Sequence, residues 1–463
     1  MSERNQIRHG IEQVVERGMC IGCGACAIRT GGAIAVTLGS RGLYQANLAT
    51  ATSEQISLAT RVCPFSDAAK NEDALASERF GDLPHDDRIG HYSAVMAGRL
   101  TEDDSVVQSS SGGLATRLLS GLLERRVVDS ILHVGRSDGS ELFEYVVSSS
   151  VDELLSARKS MYYATTLAEV GAALRPDKRY AVVGVPCFIK AMRLLADEVP
   201  ALNRQLAFFV GIVCGHLKST FFAESLAWQA GVPPSSLETV DFRVKNPTRA
   251  ANRYDYSATA RTGERVVRPV ASAIDGSWGY AAFQPEACNF CDDVFAETAD
   301  VVFGDAWLEQ YQRDWRGTNI VVTRDARATE ILRAAEDTGA VVLTDLGPDE
   351  AARSQAGNFR HRRVGLRVRL ADDIAAGLSV PIKRVSPSTD GVSRGRIRLI
   401  RQRRDISRMS LEWFEQARAT NDLDHYIDRM RTAIARYQRV DAAQRGPIAI
   451  LRYLVRKVRG TKR

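Results

Sequence analysis

Residues 93–345 carry two periods of apolar residues in turn. Near-continuous apolar runs stand at Ser93–Gly98, Ser130–Val134, Tyr180–Val185, Leu206–Val213 and Ile320–Thr323. Strands covered on both faces read this way. Between several of them the period lengthens, and Gly113–Arg125, Leu167–Leu174, Phe188–Asp197 and Thr220–Gln229 predict helices. In the first, Leu114, Leu118, Leu119, Leu122 and Leu123 fall at three- and four-residue spacing and make one apolar face. Alternating strands and helices predict an α/β domain with a mostly parallel sheet. Residues 240–285, richer in Arg, Tyr and Thr, read as an antiparallel excursion. The polar stretch 76–92, with Pro84, His85 and Asp86–Arg88, reads as a linker. From about residue 349 the pattern is helical and Arg-rich. The expected organisation is a small module at 1–75, a central α/β domain at 93–345 and a helical basic region at 349–463.

Composition adds limits. The chain has 463 residues, 44% hydrophobic and 25% charged, which excludes wholesale disorder and leaves enough apolar side chains for a core. No run of ~18 apolar residues predicts a spanning helix. Met1 to Arg17 has no apolar stretch of the kind a secretory signal needs. The expectation is a cytoplasmic chain.

Charge is unevenly placed. The net charge is +6, yet residues 381–463 hold 21 Lys and Arg against 8 Asp and Glu, so the rest of the chain is acidic. Arg360–Arg363 and Arg401–Arg404 are dense basic patches. Such a tail meets something anionic, a partner protein, a membrane surface or nucleic acid, or it is a solvated helical face. No nucleic-acid recognition motif accompanies it. After Pro447, Ile448, Leu451, Leu454, Val455 and Val458 interleave with Arg452, Arg456, Lys457 and Arg459. This amphipathic stretch would dock on protein, or hold the chain peripherally to the inner face of an anionic membrane.

The eight cysteines carry the chemistry. Cys20, Cys23 and Cys26 read C-x2-C-x2-C on a Gly-rich turn, and Cys63-Pro64 follows remotely. That is the ligand run of a bacterial ferredoxin module, with Cys63 as fourth ligand of one [4Fe-4S] cube. Two-cluster ferredoxins place another Cys four residues after the third, and here that residue is Thr30. Cys187 and Cys214 sit at the C-terminal ends of two apolar runs, and Cys288-x2-Cys291 makes a pair. Together they supply four thiolates for a second cluster or a zinc ion, or Cys187 and Cys214 are inert core cysteines. Disulfides are not expected in this compartment.

Ser109-Ser110-Ser111-Gly112-Gly113 immediately precedes the Leu114 helix. Small residues, free N–H groups and the helix dipole favour a phosphate there, although such a loop also serves as a plain cap. Beside iron–sulfur ligands, the phosphate of a dinucleotide such as FAD fits the loop. It is not the G-x-G-x-x-G pattern.

With these pieces, the chain resembles the family of coenzyme F420 hydrogenase/dehydrogenase beta subunits across residues ~15–330. The matching pieces, in order, begin with the N-terminal Cys run, Ser111-Gly112-Gly113 with Thr116, and Ser160 with Tyr162. Gly184-Val185-Pro186-Cys187, Cys214-Gly215-His216, Asp241 to Lys245, Cys288-x2-Cys291 and Ala299 to Trp307 complete the set. The resemblance implies a flavin- and iron–sulfur-containing oxidoreductase, some of whose members reduce F420, and others, such as 7-hydroxymethyl chlorophyll a reductase, different substrates. Some homologues sit in polysaccharide-biosynthesis settings. One departure bears on substrate: family members often carry Lys between the residues matching Ser160 and Tyr162, where this chain has Met161.

The resemblance also implies roles. Ser110, Ser111, Gly112, Gly113 and Thr116 would hold FAD phosphates, with Ser160 and Tyr162 beside the cofactor. Cys187, Cys214, Cys288 and Cys291 would hold the second [4Fe-4S] cluster. His216 and Asp305 would contact the flavin or donate protons. Plainer alternatives stand beside these. Thr116 would be a helix-surface residue, His216 would only orient its turn, and Asp300 and Asp305 would cap turns. Arg243 and Lys245 would bind an anionic substrate or stay in solvent. Ferredoxin or coenzyme F420 is the expected redox partner, with a possible role beside a partner subunit. The rival functions are a non-catalytic electron-transfer subunit and a zinc-stabilised interaction protein.

Overall fold

The computed structural model describes residues 9–449. Its centre is an eight-stranded sheet: β1 Ala94–Leu100, β2 Ser130–Arg136, β3 Phe143–Ser148, β4 Tyr180–Gly184, β5 Leu206–Ile212, β6 Val301–Asp305, β7 Asn319–Thr323 and β8 Val341–Asp345. The strand order is β8-β1-β7-β6-β5-β4-β2-β3. The neighbours β6, β5, β4 and β2 run parallel, while β3, β7 and β8 are antiparallel to their neighbours. The mostly parallel sheet is therefore present, with antiparallel margins. All five apolar runs are strands. β3, β6 and β8 lacked so plain a signal: β3 and β8 are edge strands, and β6 has three apolar residues before Gly304 and Asp305.

Both faces of the sheet are covered, which is why its strands alternate so little in polarity. On one face, Met96, Ile131, Phe208, Val210, Val301 and Phe303 pack on α1 (Leu114–Glu124) and on helix Ala326–Asp337. On the other, Leu132, Val182, Phe209 and Val302 pack on α2 (Pro186–Glu198). Pro186 begins α2 where its missing N–H costs nothing. The expected helix at 167–174 is shorter, Val170–Ala173.

The N-terminal module shares the α2 face. Ile11, Val14, Met19, Val62 and Phe65 belong to the same core as Phe188, Ile189 and Leu194. The stretch read as a linker is built in: helix Glu72–Phe80 enters it, and Arg324 donates to the carbonyls of His91 (2.7 Å) and Ile89 (2.8 Å). The antiparallel excursion is a three-stranded sheet of Leu237–Val244, Asp255–Ala260 and Arg265–Pro269.

Against that small sheet lie two long tail helices, α3 (Arg394–Thr420) and α4 (Leu423–Arg445). Ile406, Leu411, Phe414, Tyr426 and Met430 share a core with Phe221, Phe222, Phe242 and Phe283. Phe414 is fully buried, its ring 5.0 Å from Phe221, 5.4 Å from Phe283 and 5.2 Å from Tyr426. A Phe414→Ala chain is expected to lose about 3–5 kcal/mol of stability. Denaturant unfolding followed at the tryptophans measures it, and an unchanged midpoint would mean that the tail packs independently.

Part of the tail's charge meets the acidic body, while Arg394, Arg398, Arg429 and Arg436 face solvent. Arg404 donates to Asp373 at 2.5 and 2.8 Å and to Glu286 at 3.0 Å, and Arg408 donates to Glu286 at 2.7 Å. Arg384 reaches Glu297 at 2.8 Å and Asp73 at 3.2 Å. Arg418 pairs with Glu224 at 3.0 Å. The two dense patches are thus corrected in part as free anionic-partner surfaces: Arg362 and Arg404 are buried. The amphipathic stretch after Pro447 lies beyond residue 449, apart from Ile448 and Ala449, and so outside the described residues. No helix among the described residues is long and apolar enough to cross a membrane.

Candidate functional site

The first quartet is made by a local turn and a remote helix end. Gly22 and Gly24 take left-handed backbone (φ 66° and 88°) between the first three cysteines. At Gly24 a Cβ would sit 2.2 Å from the backbone nitrogen of Ala168, so only Gly allows the turn to approach that segment. Cys63 follows helix Ser53–Val62 as its cap. All four cysteines line one small cavity whose other walls are Ile11, Val14, Met19, Ile21, Val36, Ala46, Val62, Pro64 and Phe65, besides the two glycines. Burial pushes each of the four thiols up, and their like charges add to it at Cys23, Cys26 and Cys63. The hydrogen-bond donors to these sulfurs are backbone: Ala46 N–H reaches Cys20 Sγ at 3.4 Å, and Phe65 and Ser66 serve Cys63.

The second quartet comes from three places in the chain. Cys187 lies at the start of α2 after β4, Cys214 follows β5, and Cys288 lies in a short turn, Glu286–Asn289, with Cys291 just beyond it. Burial raises all four thiols, Cys288 to about 12 and Cys214 to about 11. Cys187 feels the like charges of Cys291, Cys214 and Cys288, and also that of Cys23 in the first quartet. The two quartets are therefore neighbours. Leu217 N–H donates to Cys288 Sγ at 3.3 Å, and the Arg362 guanidinium donates to Cys291 Sγ. All eight cysteines are free thiols. Among the described residues no three His, Cys, Asp or Glu side chains close on a single-ion centre. The donor sets nevertheless suit a larger thiolate-bound group: four sulfurs, no imidazole, and apolar walls around the first.

Cys214 also lines the main cavity, of about 320 Å³, at the C-terminal ends of β4, β5 and β6. Ligand sites of α/β sheets gather at such ends, and the volume is at the low end for small-molecule sites. Ser110, Ser111, Gly113, Thr116, Ser160, Tyr162, His216 and Asp305 all line it. Gly112 does not. A Cβ there would meet Gly98 O at 2.6 Å and Arg99 Cβ at 2.9 Å, so its smallness seats the loop against β1. Gly113 has φ 85° and caps α1.

The loop is well tied. Ser110 Oγ accepts from Ser160 N–H at 2.8 Å, and Ser111 Oγ donates to Thr318 O at 3.2 Å. Asn319 Oδ1 takes the first helical N–H, that of Leu114, at 3.1 Å. The N–H groups of Ala115 and Thr116 remain at the helix start, where the backbone has no intrahelical acceptor for them.

Asp305 is held by a two-pronged ion pair, Arg243 Nη1 to Oδ2 at 2.7 Å and Nη2 to Oδ1 at 3.2 Å. Arg243 is buried and lies over the rings of Tyr254 and Trp307. Lys245 donates to Ser111 O at 2.7 Å, and burial lowers it to about 7. The solvent reading of both cations is therefore corrected. Asp300 lies apart from the cavity lining, accepting from Arg193 and from Phe209 N–H, each at 2.7 Å. His216 is buried 4.5 Å from Trp278, its Nε2 without a hydrogen-bond partner. Burial, then Lys218, Arg403 and Arg362, hold it well below its ordinary range, so it is neutral.

Three lining residues escaped the sequence reading. Lys218 is buried, donates to Ala282 O at 2.5 Å and lies over Phe222 and Trp278; burial lowers it to about 7. Lys159, at the strained φ of 98°, pairs with Asp241 at 2.6 Å. Asn319 joins the loop to β6 through Gly304 O at 3.1 Å. A lone Lys or Asn carries no spacing signal, and only the fold points them inward.

Comparison with known proteins gives a consistent picture. Residues 95–171 match the model for the N-terminal part of the coenzyme F420 hydrogenase/dehydrogenase beta subunit, and residues 177–349 match that for its C-terminal part. One component of the F(420)H(2) dehydrogenase of Methanosarcina mazei is 26% identical over 44% of this chain and 55% of its own length. The beta subunit of the coenzyme F420 hydrogenase of Methanosarcina barkeri is 27% identical over 28% of this chain and 46% of its own. The beta subunit of the F420-dependent formate dehydrogenase of Methanocaldococcus jannaschii is 27% identical over 25% of this chain and 30% of its own. The matched segments thus span about half or less of these relatives. A chain of the F420-reducing [NiFe] hydrogenase complex from Methanosarcina barkeri aligns with a TM-score of 0.48 at 18% identity, over 65% of this chain and 99% of that one.

Proposed function

The chain belongs to the family of coenzyme F420 hydrogenase/dehydrogenase beta subunits, which are oxidoreductases, and on that premise we propose that it is an iron–sulfur flavoprotein that passes electrons between the main cavity and two [4Fe-4S] clusters. The observation that carries this reading is Cys214: it belongs to the second quartet and lines the main cavity. Cys187 in turn stands beside Cys23 of the first quartet. Cavity, second quartet and first quartet thus follow one another in the order that an electron path requires.

FAD bound in the cavity would exchange a hydride with a two-electron carrier and single electrons with the clusters. This chain's residues would do the rest. Ala115 and Thr116 N–H groups and the Thr116 hydroxyl would hold a phosphate at the start of α1, on a loop fixed by Ser110, Ser111, Gly112 and Gly113. Ser160 holds that loop to the opposite wall through its N–H. Tyr162, 4.8 Å from Trp278, would wall the ring system. Arg243 holds both Asp305 carboxylate oxygens in place, so Asp305 would orient a donor on the cofactor. His216, neutral and with Nε2 unpartnered, is the group suited to a hydrogen bond with the bound ring. Lys218 and Lys245, each lowered to about 7, are the groups able to give up a proton near neutral pH.

Coenzyme F420 is the proposed two-electron carrier, in keeping with the names of the relatives, and ferredoxin the proposed one-electron partner. The chain would act beside a partner subunit, in the cytoplasm or peripheral to the membrane through its basic tail. Anaerobic purification with iron, sulfide and flavin counted per chain tests the reading. About eight irons and one FAD are expected. Iron without flavin would leave a relay subunit, and zinc alone would overturn the redox reading.

A further inference from the structure

Arg362 lies beyond residue 349, where the family match ends. It sits on a π-helical turn, Arg360–Gly365, and is 1% exposed. Such turns are uncommon and aim side chains where a regular helix would not. Its Nη1 donates to Cys291 Sγ and to Asp293 O at 2.6 Å, and its Nη2 to Cys214 O at 2.8 Å and Gly215 O at 3.2 Å. Its Nε has no partner among the described residues. Among the described residues it forms no ion pair with a carboxylate, and the nearby Asp292 is taken by Lys383 and Arg384. A buried guanidinium without a counter-ion is costly. The anionic groups that face it are the thiols of Cys291, Cys214 and Cys288, ahead of the Asp293 carboxyl, with which it makes no ion pair.

We infer that Arg362 is the counter-ion of the second cluster and holds its reduction potential above that of the first. This rests on the two-cluster reading above. Four thiolates give a cube a net negative charge, and reduction makes it more negative. A fixed cation that donates to a ligand sulfur therefore favours the reduced form. Among the described residues the first quartet has no equivalent: its sulfur donors are backbone N–H groups, and Lys190, which bears on Cys63, is paired with Glu72 at 3.1 Å. Electrons entering at the first quartet would thus come to rest at the second, beside the cavity. Arg362 acts through the ligands and is a positioning residue.

The experiment is EPR-monitored potentiometry on the anaerobically purified full chain, wild type, Arg362→Gln and Arg362→Lys. Wild-type iron is counted first: about four irons would fail the two-cluster reading itself, separately from the role of Arg362. With about eight irons, Arg362→Gln is expected to lower the higher of the two midpoints by about 59 mV, a tenfold change in the reduced-to-oxidised ratio, and to leave the lower one in place. Arg362→Lys, which keeps the charge but not the two-pronged donor, is expected to shift the same midpoint by less. Unchanged midpoints at full iron content would overturn the inference. If Arg362→Gln loses iron, Arg362→Lys decides: a lowered upper midpoint supports the role, and an unchanged midpoint or the same loss of iron overturns it.

Discussion

A Cys63→Ser chain is expected to lose one cluster's iron, about four atoms per chain, and to keep its flavin and the other cluster. Cys63 is the ligand without local help. The other three ligands of its quartet arrive together on one turn, but Cys63 is delivered by the end of helix Ser53–Val62 and held by the N–H groups of Phe65 and Ser66. A serine hydroxyl there ionises far less readily than a thiol and binds iron poorly. One-electron transfer from a ferredoxin-type donor to the flavin should fall by more than the ~10–100-fold typical of outer-shell losses. Direct reduction of the flavin by a two-electron carrier should persist, because the main cavity lies beside the other quartet. Iron analysis and the two half-reactions, each followed at the flavin absorbance, make the test. Full iron with undiminished transfer would remove Cys63 from the ligand set.

An Arg404→Ala chain is expected to lose about 3–5 kcal/mol, because it leaves the buried carboxylate of Asp373 and the largely covered one of Glu286 short of their shared counter-ion. Asp373 would keep Arg17 at 2.6 Å, and Glu286 would keep the half-exposed Arg408. The effect depends on pH in a defined sense. Burial raises the Asp373 carboxyl, but hydrogen bonds and charge from Arg404 and Arg17 outweigh it, and the group ends below its ordinary value. A carboxylate held down by folding stabilises the native state above its unfolded pKa of about 3.9. That contribution disappears as the pH falls through the lower, folded value. The stability gap between wild type and variant should therefore be full at neutral pH and narrow below about pH 4. Urea midpoints across that range measure it, and a gap that widens in acid would contradict the assignment.

Both expectations join the tail and the N-terminal module to one core. Asp373 accepts from Arg17 near the N-terminus and from Arg404 on α3. Arg384 reaches Glu297 in the central domain and Asp73 in the helix after the first quartet. The segments before and after the family-matched residues thus close over the quartets rather than hang from them. Burial of this kind keeps water from clustered thiolates, which supports iron–sulfur chemistry in the interior.

Local spacing alone determined several features of this protein. Cys20, Cys23 and Cys26 must share one turn because two residues separate each pair, and two left-handed glycines follow from that tightness. The doubly covered strands were legible because burial on both faces removes polar residues from a strand. The Ser-Gly-Gly loop declared a helix start, since α1's leucine stripe begins immediately after it. Edge strands β3 and β8 were hidden because Glu144, Ser148, Thr344 and Asp345 interrupt their short apolar patterns. Other features were decided only by the tertiary structure. Cys214 and Cys288 are 74 positions apart, and nothing in their separation says that strand order brings them together. Nothing in the sequence separation of Arg243 and Asp305 says that they pair, yet the fold joins them and buries Arg243. The basic tail reads as a surface for a foreign anion or as a solvated face, whereas Arg384, Arg404, Arg408 and Arg418 meet carboxylates of its own body. A sequence records the sign of each charge but not its partner, because Coulomb attraction and burial act through space rather than along the chain.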